Sequence, residues 1–583
     1  MAHADLFPGK VPNILPAIVI SIILSFSSAF PALAQTKSRP SIPRLEKQGK
    51  VTQLIVDGKP FLVLGGELRN SSSSNLEYMR PIWPKLVRMH LNTILAVVSW
   101  EQIEPAEGKF DFTVVDGLIQ EARRYNLRLI LLWFGSWKNS TSRYPADWVK
   151  ANQERFPRVR NKDGKSLEIL STLSEANREA DAHAFAALMR RVREVDSKTR
   201  TVIMIQVQNE VGVLGDSRDR CAAANEAFEK PVPKELMDYL KKHKDTLLPE
   251  FRKGWEATGA KSSGTWEQVF GKAVATDEIF MAWNYARYIG RVTEAGKAEY
   301  PLPMFVNAWI VQPEDKGPGD YPSGGPVALV HDIWRAGAPQ VDILAPDIYL
   351  PDFPGILAQY SRSGNPVFIP ESTGDAAGVA NAFYAIGQLG AMGYSPFGID
   401  NTGRLVVLRP DPNQPAPTDI ENLPLPQGYA LLNQLAPLIL EHQAKGSIGA
   451  AWLNKEKQTQ KLSLGNYTLE VDLRRNRRAP NQVPELGYCL AIALGPDEYV
   501  VAGSDVQVTF SPNTAGPPIA GVLSVEEGTY VDGRWIAGRR LNGDEVQLRY
   551  DLSEAAAGNQ SASGLRFSPG APAIQRVKLY RYR

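Results

Sequence analysis

Eight apolar runs, each short enough to be one strand, punctuate residues 50–400 and constrain the fold more than any other feature. They read FLVLGGE (61–67), LNTILAVVSW (91–100), RLILLWFGSW (128–137), TVIMIQVQNE (201–210), LPMFVNAW (302–309), VDILAPDIY (341–349), NPVFIPEST (365–373) and YSPFGIDN (394–401). Most are apolar nearly throughout instead of alternating, the pattern of strands buried on both faces. Helical stretches fill the gaps. Residues 112–126 and 175–196 place apolar side chains at helical spacing and are basic towards their ends, and the small-residue stretch 377–393 suits close packing on a sheet. Eight strands alternating with helices predict a (β/α)8 barrel of the TIM type, an α/β fold, in preference to an open sheet. The fourth and fifth runs are separated by residues 211–301. Loops of that length on a barrel usually roof the active face.

The texture changes after residue 402. Residues 409–428 are Pro-rich and linker-like, and 429–443 read as a last helix closing the barrel. Beyond that, runs such as TLEVDLR, YCLAIALG, EYVVAG, VQVTFSP, VLSVEEGTYV, VQLRYDL and RVKLYRYR alternate with turn residues. This predicts a C-terminal all-β sandwich. The expected division is an export signal over 1–34, a barrel with its linker and closing helix over 35–443, and the β domain over 444–583. The signal rests on Lys10, the apolar stretch 14–30, and Ala32 and Ala34 in an A-x-A arrangement before a mature start near Gln35. The expected location is periplasmic or secreted, with no membrane contact after cleavage. The two cysteines, Cys221 and Cys489, imply no disulfide framework. The formal net charge is +2, and the densest basic cluster, RRNRR at 474–478, lies between strand-like segments. That argues against nucleic acid as a partner.

Chemistry in such barrels collects at the C-terminal ends of the strands. The fourth run ends on Asn209 and Glu210, and the seventh on Pro370, Glu371 and Ser372. Glutamate is a poor strand former and is costly to bury. Two of them at corresponding places, on strands three apart in a ring of eight, can project over one mouth. Paired carboxylates across a small gap are what glycoside hydrolysis requires, one protonating the leaving oxygen and the other attacking the sugar or activating water.

QVQNE and FIPES, in that order, resemble the signatures of the retaining clan-A glycoside hydrolases. SWEQIEPAEGKFDF (99–112) is similar to the second-strand segment shared by the barrel β-galactosidases of families 35 and 42. GKPFLVLGGELRNSSSS (58–74) resembles their opening strand. Within that group the chain looks most like the bacterial family-35 subgroup carrying a C-terminal domain of the DUF5597 type. The resemblance implies a retaining exo-β-galactosidase acting on a β-galactoside oligosaccharide or glycan, with Glu210 as acid/base and Glu371 as nucleophile. It departs from family 35 at Leu68-Arg69, where a His-Tyr pair is usual, and at WFGSWKN after the third strand.

Around the pair, Asn209 is a candidate contact for the sugar 2-OH, and Tyr349 a donor that would keep Glu371 ionised and aimed. Trp100, Trp137 and Trp309, standing near strand ends, are candidate stacking platforms for the apolar faces of sugars. Asn139, Glu101 and Asp400 are candidate hydroxyl binders. No metal-ligand motif, dinucleotide glycine motif or nucleophile elbow occurs, so no cofactor or metal is expected. Other clan-A β-glycosidases, whether a β-glucosidase or an endo-glycanase, and a non-catalytic carbohydrate-binding barrel remain open readings. So does the oligomeric state.

Overall fold

In the computed structural model, which describes residues 42–401, 419–474, 483–547 and 563–583, the eight apolar runs form eight parallel strands. They are β1 (Val63–Glu67), β2 (Thr93–Ser99), β3 (Arg128–Lys138), β4 (Val202–Asn209), β5 (Met304–Trp309), β6 (Ile343–Ile348), β7 (Ile369–Ser372) and β8 (Gly393–Pro396). Each strand pairs with the next and β8 pairs with β1, closing the barrel.

The lack of polar alternation has a structural cause. Along β2 and β3, Leu95, Val97, Ile130 and Leu132 pack into the barrel interior with Phe305, Ile343 and Phe368. Their neighbours Ile94, Ala96, Leu129 and Leu131 join the layer that packs on the surrounding helices. Both faces are dry, so both are apolar. A short antiparallel sheet (Arg44–Gln48, Val51–Val56, Lys59–Phe61) precedes β1 and adds Leu54 and Val56 to the interior cluster, plugging the end where the strands begin.

Helices Thr113–Arg124, Glu175–Asp196 and Ala376–Leu389 occupy the predicted stretches. The insertion between β4 and β5 contains several helices, of which Val274–Glu299 is the longest. The closing helix begins earlier than expected, at Pro424, and runs to Lys445. Pro424 and Pro426 sit in its first turn, where the missing N–H groups would have no helical partner anyway, so these prolines start the helix instead of belonging to a linker. Its Tyr429 hydroxyl donates to the carbonyls of Gly65 (3.0 Å) and Tyr394 (2.8 Å), fastening it across the β8–β1 seam.

The β domain begins at Ile448 and forms a six-stranded and a four-stranded antiparallel sheet. It rests on the barrel through Phe383 against Tyr488 and through the Trp452 indole N–H donating to Asn381. The export signal, residues 409–418 of the Pro-rich stretch, most of the basic cluster and the end of VQLRYDL lie outside the described residues.

Candidate active site

The strand ends converge as a row of polar side chains. The register aligns Trp309 on β5 with Asp347 on β6, and Asp347 with Glu371 on β7. One β7 residue more than β8 lies between their paired positions, Ile369 with Tyr394 and Ser372 with Pro396. This bulge lets Phe368 and Glu371, three residues apart, both face inward. Glu210 follows the last residue of β4 and has a positive φ of 44°. Its backbone N–H donates to Asn307 Oδ1 (3.1 Å), and the Asn307 amide donates in turn to Asp347 (2.6 Å). One carboxylate oxygen each from Glu210, Asp347 and Glu371 lies within 4.8 Å of the others. All three residues are buried, Glu210 and Glu371 retaining 6% and 7% of their surface.

The electrostatics separate the acids. The Glu210 carboxyl is pushed up to about 7, first by burial and then by the charge of Glu371, against the opposing pull of Lys138 and a hydrogen bond with Asp347. Asp347 is raised well above its ordinary value by burial and by Glu371 and Glu210. Glu371 accepts a 2.6 Å hydrogen bond from the Tyr349 hydroxyl. Lys138, at the end of β3, is 6% exposed. Burial alone would lower its affinity for a proton, but Glu371, Glu210, Glu67 and Asp347 together raise it, so it stays an ammonium. The three clustered acids have the spacing to hold a cation. A hydrogen bond between the Glu210 and Asp347 side chains, one of them protonated, fits the same spacing, with Lys138 supplying positive charge beside them.

Tyr349 stands at the rim, bonded to Glu371 as the sequence suggested, and Trp309 is part-exposed in the same row. Asn209 is fully buried, and neither amide atom has a protein partner among the described residues. The remaining candidates go elsewhere. Trp100 is buried outside the barrel, its indole donating to Glu104 and its ring edge-on to Trp148. Trp137 packs between Tyr285 and Tyr288 and donates to the Leu170 carbonyl. These indoles fill the layer under the helices and do not line a sugar pocket. Asn139 is an exposed turn residue with φ 47°, a conformation asparagine tolerates. Glu101 pairs with Lys150 at 2.9 Å. Asp400 accepts from the Arg69 backbone and the Ser72 hydroxyl, which holds the loop after β1.

Four residues of the cluster were missed: Glu67, Lys138, Asn307 and Asp347. The signal for Glu67 and Asp347 was present, since both are acids near the end of an apolar run. Glu67, ending β1, is fully buried, and neither carboxylate oxygen has a partner among the described residues. Burial first, then Glu371, raises its carboxyl well above the ordinary 4.5. A carboxyl whose folded value is raised binds protons that the unfolded chain has already released, so its contribution to stability falls as pH climbs from 4.5 through the folded value. Glu67→Gln should therefore flatten the dependence of Tm on pH. Scanning calorimetry at pH 5 and pH 8 is expected to show a smaller drop in the variant than in the unmodified protein. Parallel behaviour of the two would contradict the burial argument.

Residues 75–272 match the glycoside hydrolase family 42 description, "Beta-galactosidase". Residues 425–552 match a domain of unknown function, DUF5597. The match is to family 42 and lends no support to the expected placement in family 35; the second-strand segment 99–112, of the kind both families carry, lies within the matched residues. A curated β-galactosidase from Xanthomonas manihotis is 30% identical over 204 residues, covering 33% of this chain. The chain spans 30% of that relative's length. Among solved structures, a β-galactosidase from Bacillus circulans sp. alkalophilus is 16% identical with a TM-score of 0.38, covering 57% of this chain and 50% of its own. The catalytic domain of a β-amylase from Paenibacillus polymyxa is 12% identical with a TM-score of 0.41, covering 58% and 93%.

Proposed function

We propose that the chain is a glycoside hydrolase of the β-galactosidase type, retaining configuration at the anomeric carbon and releasing terminal non-reducing β-galactosyl residues. The observation that carries this reading is the carboxylate spacing. One carboxylate oxygen of Glu210 lies within 4.8 Å of one of Glu371, an approach that suits the ~5–5.5 Å carboxyl separation of enzymes that form a covalent glycosyl intermediate better than the ~6.5–9.5 Å that leaves room for an inverting water. The family-42 match over residues 75–272 supports the sugar class.

In the first half-reaction Glu371 attacks the anomeric carbon while Glu210 gives its proton to the departing glycosidic oxygen. In the second, Glu210, now a carboxylate, takes a proton from water as that water displaces Glu371. Each acid is set for its role by its surroundings. Burial keeps Glu210 protonated to about 7, and the Tyr349 hydroxyl aims the Glu371 side chain. The Asn209 amide, buried without a partner among the described residues, is free to meet a sugar hydroxyl.

A panel of nitrophenyl glycosides tests the reading. The expected result is β-galactoside cleavage at least about tenfold faster in kcat/KM than β-glucoside cleavage, about 1.4 kcal/mol of discrimination. A preference for another sugar would reject the galactosidase assignment while keeping the mechanism. Absence of any cleavage would favour a carbohydrate-binding barrel.

A further inference from the structure

We propose that Asp181 is the positioning residue for the acid arm of the site: it clamps a bulge in β3 and, through Gln208, sets where the Glu210 carboxyl stands. The inference rests on the glycosidase reading for its kinetic test and on the geometry alone for its structural one.

The bulge is visible in the register. Trp133 of β3 pairs with Val207 of β4, yet the next pair is Lys138 with Asn209. Five steps along β3 thus match two along β4, and Phe134–Trp137 must loop out. Asp181, on the helix Glu175–Asp196, is fully buried beneath that loop. Its carboxylate accepts from the Trp133 indole (2.9 Å), the Ser136 hydroxyl (2.6 Å) and the Ser136 backbone N–H (3.2 Å). It also accepts from the Tyr288 hydroxyl (3.2 Å) and the Gln208 amide (2.7 Å). Donors from both strands and from a second helix therefore end on one carboxylate.

Gln208 carries the link onward. Its side-chain oxygen accepts the Trp137 backbone N–H at 3.0 Å, so the same side chain bridges the bulge and β4. Its backbone lies in the left-handed region at φ 65°, as does Glu210 at 44°. Such a conformation in a non-glycine residue persists when its surroundings over-determine it. Gly135 completes the clamp. A Cβ there would lie 2.4 Å from the Trp133 indole nitrogen, 2.7 Å from Asp181 and 2.7 Å from the Gln208 amide. The network needs bare backbone at that point. None of these side chains borders the carboxylate pair. What they fix is the approach of the residues that do.

The test separates misplacement of the acid from general damage. A dinitrophenyl leaving group departs with little protonic help, whereas an alkyl alcohol needs the acid. In Asp181→Asn and in Gln208→Met, which keeps the side-chain length but breaks the strut, kcat/KM on methyl β-galactoside should fall about 100-fold or more, within the range a general acid contributes. On 2,4-dinitrophenyl β-galactoside the loss should stay within about threefold, by the same argument. Equal losses on the two substrates, or no loss on either, would overturn the proposal. Should Asp181→Asn not fold, Gln208→Met decides the matter. If the unmodified protein cleaves neither galactoside, the functional reading fails. A crystal structure of Gln208→Met still decides positioning in that case: a displaced Glu210 carboxyl supports the clamp, and an unmoved one rejects it.

Discussion

Replacement of Glu371 by glycine should reduce kcat/KM on nitrophenyl β-galactoside by at least about 10⁴-fold, the scale on which loss of a covalent nucleophile is felt. Without the carboxylate no glycosyl-enzyme forms, and Glu210 lacks the partner for the in-line displacement. The cavity left by the side chain should admit a small anion. Azide at high concentration is therefore expected to restore part of the activity by attacking from the vacated side, with Glu210 still protonating the leaving oxygen. The product should be the α-configured galactosyl azide, one displacement having replaced two. Proton NMR of the product reads this directly. A β-configured azide, or a variant that keeps more than about a tenth of its turnover, would reject Glu371 as nucleophile.

The second large effect concerns Glu210, and its signature is a split between substrates. Glu210→Ala should lose about 10³-fold or more in kcat/KM on galactosides with alkyl leaving groups, the upper part of what general acid catalysis provides. With a dinitrophenyl leaving group, kcat/KM should change little. Its kcat should still collapse, because the glycosyl-enzyme then waits for a water that nothing deprotonates. The pH profile carries the same information. The acid is needed with its proton on, and burial holds that proton to about 7. In the unmodified protein, kcat/KM on an alkyl galactoside should therefore fall as pH rises through about 7. The variant should lack that alkaline limb. Persistence of the limb at the same pH in Glu210→Ala would assign it to another group, of which Asp347, hydrogen-bonded to Glu210, is the nearest.

Much of this arrangement was legible in the chain because barrels concentrate their information at strand ends. The eight apolar runs were readable since a strand covered on both faces has no polar positions to confuse its period. Glu210 and Glu371 were readable since an acid has no reason to end such a strand unless something uses it. The same reasoning, carried to the first and sixth runs, would have found Glu67 and Asp347. The tryptophans misled for a physical reason. Trp100 and Trp137 stand near strand ends in sequence, but which side of the barrel wall a residue faces depends on its register, and the β3 bulge shifts that register between Trp133 and Lys138. Asn139 and Asp400 pose a different difficulty. Turn residues and hydroxyl binders draw on the same polar types, and only the positive φ of Asn139 and the two donors on Asp400 tell them apart.

Sequence alone determined the barrel, the β domain behind it and the identity of the two facing glutamates, because hydrophobic period and strand-end chemistry are local properties that survive without coordinates. Tertiary structure decided which polar groups share the mouth with them: Lys138 brought into register by a bulge, Asp347 and Asn307 brought beside Glu210 by parallel pairing, and Asp181 holding the bulge from a helix behind the barrel wall. Those relations span up to 137 residues between Glu210 and Asp347. They depend on register, and a shift of one residue in a strand reverses the face of every side chain on it.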